Sequence, residues 1–210
     1  MHISDNTILS GLYELWAQGK LPSFDLTLSD SLNQALATAI PELATAFGAG
    51  AGFSAKLELV APFNFNFKDG MNVAAQGMFV TFSGKQANAS EFTEALTLNA
   101  NLTTFLNPYS HQDYVLKAAM QGSKSQGVKV IDSSIGDVTL NATRIATFLG
   151  AVDTEVTAYP GYNLASLVPP QYALATMLLT NVTLAVNQTA GYLLAGLSYN
   201  IDPFMCKTTQ

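Results

Sequence analysis

Two periodicities share this chain, and their order limits what it can fold into. From Phe53 to about Ile131 the apolar residues recur at every second position. Leu57 and Leu59 alternate with Lys56 and Glu58, and Phe63, Phe65 and Phe67 alternate with Asn64 and Asn66. That spacing gives each strand one oily face and one polar face. On both sides the spacing lengthens to that of a helix. Ile8, Leu12, Leu15 and Trp16 form one stripe, Leu32, Leu36, Ile40, Leu43 and Phe47 a second, and Ile145, Phe148, Leu149, Val152 and Val156 a third. A helix striped in this way needs an apolar surface to lie on. One-sided sheets and one-sided helices bury each other most economically when a curved sheet encloses the helices. The expected fold is α+β: a strongly curved antiparallel β-sheet wrapped around two long amphipathic helices, one lobe spanning residues 1–203 with 204–210 as a flexible tail.

Punctuation along the chain fits this order. Ser4 or Asp5 suits the cap of the first helix, because a short side-chain oxygen accepts from the free N–H groups of a first turn. Gly19 ends that helix, and Leu21-Pro22 leads to a strand over 24–28. Ser29 or Asp30 caps the second pattern, and Pro41 should break it and open a new turn. Gly48 to Gly52 reads as a loop and Asp69-Gly70 as a hairpin turn. Met71 to Phe82 alternates too weakly to assign a face. Leu96, Leu98, Leu102 and Leu106 share one face, with Asn99 and Asn101 on the other. Tyr114–Met120 and Val128–Ile131 are expected to complete the meander as strands. The last helix follows Ile135-Gly136 and stops at Pro160-Gly161. After Pro169-Pro170, a strand carries Tyr172, Leu174, Leu178, Val182, Leu184 and Val186 on one face, and 193–201 form its partner.

Hydrophobic residues make up 49% of the 210, and only 11% are charged. No stretch of about 18 uninterrupted apolar residues occurs, so no transmembrane helix is expected. The net charge is −6 and the nine Lys and Arg are scattered, which argues against nucleic acid as a partner and against strong attraction to anionic membranes. Lys68 and Lys85 read as isolated solvated loop charges, and Arg144 as a solvated or salt-bridged flank of the last helix. Five Asn-x-Ser/Thr sequons, at Asn88, Asn101, Asn141, Asn181 and Asn187, point to a secreted or lumenal glycoprotein. Met1-His2 does not open a signal peptide, so a secreted form needs its signal upstream. The single Cys206 has no partner for an internal disulfide. Catalysis finds little footing. The two histidines are His2 and His111, the latter in a polar loop, Tyr109-Ser110-His111-Gln112-Asp113. No nucleophile elbow, metal-spaced cluster or phosphate loop appears, so no catalytic residue, metal or cofactor is expected.

Several literal segments add to the periodicity. Ile3-Ser4-Asp5-Asn6, an amphipathic helix with a Tyr, Gly19-Lys20-Leu21 and a short strand reaching Asp30 come first. Ile40-Pro41-Glu42-Leu43 follows, then a Phe and a strand. Ile135-Gly136 then precedes a long helix, a proline-bounded exit and two final strands. In this order the segments resemble the C-terminal barrel of the bactericidal/permeability-increasing and lipopolysaccharide-binding protein family, in the TULIP superfamily. The resemblance spans nearly all of 3–201, and its motifs are diffuse. It implies a single TULIP-type barrel lobe that holds phospholipid or fatty-acyl lipid in the helix–sheet seam, for transfer or for recognition of microbial envelope lipid. It also implies contact with a membrane or envelope surface, and a second barrel upstream. The family's usual disulfide belongs to its N-terminal barrel, which agrees with a lone cysteine here. The acidic balance of this chain puts the envelope-binding specialisation in doubt.

The residues expected to line the seam are Ile8, Leu12, Trp16, Leu36, Phe148, Leu149 and Val152. A glycosylated structural or interaction module, its seam collapsed and dry, is the alternative.

Overall fold

The computed structural model describes residues 2–19, 23–67, 71–111, 115–160, 162–163, 179–187 and 192–199. Among them, the elements follow the order β1 (His2–Ser4), α1 (Asp5–Ala17), β2 (Phe24–Thr27), α2 (Asp30–Ala39), α3 (Pro41–Phe47), β3 (Gly52–Glu58), β4 (Asn64–Asn66), β5 (Met71–Lys85), β6 (Thr93–His111), β7 (Val115–Ser133), α4 (Ala142–Ala158), β8 (Tyr162–Asn163), β9 (Leu179–Asn187) and β10 (Tyr192–Tyr199). The fold is α+β with antiparallel pairing throughout. A three-stranded sheet runs β1-β10-β9, and a seven-stranded sheet runs β2-β3-β5-β6-β7-β8, with β4 also paired to β5.

Local chemistry sets the helix ends. The Ser29 hydroxyl accepts from Leu32 N–H at 3.3 Å and starts α2. Asn141 does the same for α4 through Arg144 N–H at 3.1 Å. Pro41 sits at the first position of α3, where its missing N–H has no helical partner to lose. The break it imposes is one reason the structure departs from two long helices. Four helices are present, of 13, 10, 7 and 17 residues, and only α4 is long.

The meander differs more. Residues 115–133 form one strand of 19 residues rather than two short ones. Tyr109, Ser110 and His111 belong to the equally long β6 and not to a loop. Lys85 closes β5, with its ammonium 4.8 Å over the Phe92 ring, instead of standing alone in a loop. Glycines inside the strands explain the misreading. Gly77, Gly122 and Gly127 all have φ between 62° and 67°, and each lies where the ladder slips a step. Two residues there oppose one, which is a β-bulge, and the left-handed backbone it needs is open to glycine at little cost.

Each bulge reverses which face a side chain takes. On β5 the buried apolar side chains are Val73 and Ala75 before Gly77, then Met78 and Phe82 after it. Two alternating patterns out of step look like none, which is why Met71 to Phe82 pointed to no face. The Gly77 bulge is held from β6: Asn101 Oδ1 accepts its N–H at 2.8 Å and Asn99 Nδ2 donates to its carbonyl at 3.0 Å.

The core lies between α2, α3, α4 and one face of the larger sheet. Leu36 and Leu43 are fully buried there, with Ile40, Phe53, Leu96 and Ile145 around them. On the outer face of β3, Lys56 and Glu58 pair at 2.8 Å, and that hydrogen bond and charge raise the Lys56 pKa above its ordinary value. The Asp69-Gly70 turn with Lys68, the strand over Tyr172, Leu174 and Leu178, residue Ile201 and the tail 204–210 with Cys206 lie outside the described residues.

One close approach fixes α3 on the sheet. A Cβ added at Gly84 would fall 2.6 Å from the Phe47 ring, which itself stacks edge-on against Phe53 at 6.0 Å. Gly84→Ala is expected to cost about 1–3 kcal/mol of stability by overpacking. Denaturant unfolding of G84A, F47A and the double variant should give strongly non-additive losses, because removing the ring removes the clash.

Candidate functional site

The helices and the sheet do not fill the space between them. A cavity of about 340 Å³ remains, with walls from three directions. Leu32 and Leu36 come from α2, Ile40 from the cap between α2 and α3, and Ile145, Phe148, Leu149, Val152 and Val156 from α4. The sheet supplies Leu57 from β3, Met78, Val80 and Phe82 from β5, Leu98, Ala100 and Leu102 from β6, and Met120 and Val128 from β7. Among the 24 lining residues, Ser125 alone carries a hydroxyl, and none carries a charge. The Phe82 and Phe148 rings meet edge-on across the cavity, 6.3 Å apart.

The bulges put these side chains on one face. From Leu96 on, β6 keeps strict step, so Leu98, Ala100 and Leu102 all point inward. Its neighbour β7 reaches the same cavity with Met120, Ser125 and Val128, whose parity changes at Gly122 and again at Gly127.

Polar side chains of α4 hold that helix to the edge of β7. The Asp153 carboxylate accepts from Ser123 N–H at 3.0 Å and from the Ser123 hydroxyl, which lies 2.8 Å from Thr104 Oγ1. The Thr157 hydroxyl accepts from Met120 N–H at 3.0 Å and donates to Met120 carbonyl at 3.2 Å. These bonds take the place of a neighbouring strand, since β8 pairs with β7 only at Val115 and Leu116.

Four of the residues expected to line the seam come together here: Leu36, Phe148, Leu149 and Val152. Trp16 does not. It lies on α1, 37% exposed, with Tyr13 beside it at 58%, and it is not part of the cavity wall. Helix α1 packs near β1 and β4, away from α2 and α4. An amphipathic period shows that a helix has an oily side without saying which surface will meet it. The side chains of Ile8 and Leu12 lie outside the described ones. Sequence reading missed the share of β5, Met78, Val80 and Phe82, because the Gly77 bulge hid the pattern of that strand. The glycine itself was the available signal.

Among the candidate glycosylation sites, Asn88, Asn101 and Asn141 are exposed. Asn101 and Asn141 use Oδ1 for the bulge and the helix cap, while a glycan bonds to Nδ2. The side chains of Asn181 and Asn187 are not among the described ones; both residues lie in β9. Arg144 is exposed, as expected of a flank. Among the described residues, no three His, Cys, Asp or Glu side chains cluster to hold a metal, and no helix is long and apolar enough to cross a membrane.

A second cavity of about 670 Å³ adjoins the first and shares Leu26, Leu28, Leu32, Val152 and Val156 with it. Its remaining wall includes Thr27, Ser29, Lys117, Glu155 and Tyr159. The first, called the inner cavity below, is apolar apart from Ser125, and the second, the outer cavity, has a mixed, partly polar wall.

No protein-family model matches this chain, and no curated protein matches it in sequence. Among solved structures, it is similar to a crystal structure of lipopolysaccharide binding protein, with a TM-score of 0.40 and 17% identity. That similarity covers 85% of this chain and 40% of the other, so this chain spans well under half of that protein's length.

Replacing Asp153 with Ala removes the acceptor for two Ser123 donors. The expected loss is about 1.5–3 kcal/mol in denaturant unfolding, with faster amide hydrogen exchange at Ser123.

Proposed function

We propose that the chain is a non-catalytic lipid-binding lobe of TULIP type, which holds an acyl lipid in the seam between its helices and its sheet. One observation carries the reading: a cavity of about 340 Å³ whose 24 lining residues include no charge. Water against so apolar a lining is unfavourably placed, and an apolar occupant relieves that cost. An acyl chain supplies what the lining asks for, since each CH₂ buried is worth about 0.8 kcal/mol without any polar contact. The order of segments shared with the bactericidal/permeability-increasing and lipopolysaccharide-binding protein family supports the same reading.

Secretion and N-glycosylation belong to this proposal. The exposure of Asn88, Asn101 and Asn141 supports them. Phospholipid or fatty-acyl lipid is the proposed cargo, a membrane or microbial envelope surface the proposed place of exchange, and a second lobe upstream the proposed companion.

Native mass spectrometry of the purified protein, with organic extraction, tests the cargo. Co-purifying lipid near one per chain is expected. Protein that carries no lipid and takes up no fluorescent phospholipid would leave the dry interaction module instead. Ala100→Phe, which builds a ring into the cavity from β6, should cut lipid uptake at least about tenfold and leave the fold intact by circular dichroism.

A further inference from the structure

The outer cavity differs from the inner one in a single chemical respect that bears on the ligand. Lys117 stands in its wall, half-buried, and among the described residues no other cation lines either cavity. The ammonium takes part in no ion pair and no hydrogen bond with the described residues. Around it the wall is largely apolar: Leu26, Leu28, Met71, Leu106, Ala118 and Val156. Glu155, the one acid in this wall, comes from α4 and accepts from the Ser31 hydroxyl of α2 at 2.9 Å. An apolar surround strengthens the attraction between an ammonium and any counter-charge brought to it.

The inner cavity sets the chemistry of the other end of the ligand. Its described lining is apolar apart from Ser125, so the part that enters it is hydrocarbon.

We propose that the outer cavity is a head-group site: the ligand is an amphiphile whose anionic head, a carboxylate or a phosphate, sits against Lys117 while its hydrocarbon runs past Leu28 and Val152 into the inner cavity. This rests on the lipid-slot reading and narrows it from any acyl lipid to one with a negative head. Lys117 sets which head is accepted, and the apolar lining supplies the bulk of the affinity.

The test is competition for a fluorescent acyl probe on the full chain, stripped of lipid, with three competitors of the same chain: oleate, oleoyl-lysophosphatidate and oleyl alcohol. Binding should favour at least one anion over the alcohol by about tenfold or more, the usual worth of a charge-assisted hydrogen bond. Lys117→Met should remove that preference and leave the alcohol's affinity unchanged. Lys117→Arg should keep it. Whichever anion loses more in Lys117→Met identifies the head as carboxylate or phosphate. If Lys117→Met leaves every affinity as it was, the lysine merely reaches out to water and the head-group site is overturned. If none of the three competes and the probe itself does not bind, the slot fails as well, so the two failures are distinct. Thermal unfolding of both variants checks that the fold survives the change.

Discussion

A pleated strand alternates its two faces without exception, and that rule governs this molecule by the way it is broken. Strands of 19 residues have to bend to stay against a pair of helices. A bend without a slip in step would swing the apolar face toward water. Bulges at Gly77, Gly122 and Gly127 resolve the conflict, each adding a residue, bending the strand and reversing the parity beyond it. Because β6 keeps step between them from Leu96 onward, the inward side chains of three strands converge on one space. The cavity is thus a product of backbone irregularity as much as of hydrophobic content.

The helices on the other side are held by two different kinds of force. Helix α2 is anchored by burial, with Leu36 fully enclosed. Asn33 adds a tie, donating to Leu28 carbonyl at 3.4 Å and accepting from Phe53 N–H at 3.0 Å. Helix α4 is less buried and depends more on Asp153 and Thr157, which satisfy backbone groups along an otherwise open strand edge. A wall fixed by directional polar bonds at its rim can leave its apolar face only loosely filled. That division of labour lets a cavity persist beside a well-packed core.

Legibility in the sequence followed the physics of each element. The helix cap at Ser29 and the stop at Pro41 involve residues close in the chain, and the α2 and α3 boundaries fell where local chemistry put them. The stripe over Phe148, Leu149 and Val152 faced the cavity because α4 has an oily side and the sheet was its nearest cover. Trp16 shows the limit of that logic: its stripe is as clear, yet the helix settled elsewhere. The bulged strands were the hardest to read. A reversal of parity at one glycine turns a sound alternation into apparent noise, and a glycine at positive φ within a strand looks in sequence like the end of one. Lys117 passed unnoticed because nothing local sets it apart. Its interest comes from Met71, Leu106 and Val156, brought beside it by the fold.

The pairing of β1 with β10 has a consequence in time. His2 lies opposite Leu194, so the first strand finds its neighbour only after nearly the whole chain is available. Closing so large a loop is entropically slow, whereas β5, β6 and β7 follow one another along the chain and join locally. Assembly should therefore begin in the middle and finish at the two ends. Leu15 and Trp16 on the stripe of α1 are exposed even in the finished fold. A ribosome-bound chain would carry that stripe unshielded through most of its synthesis, which makes this segment the natural client of a chaperone.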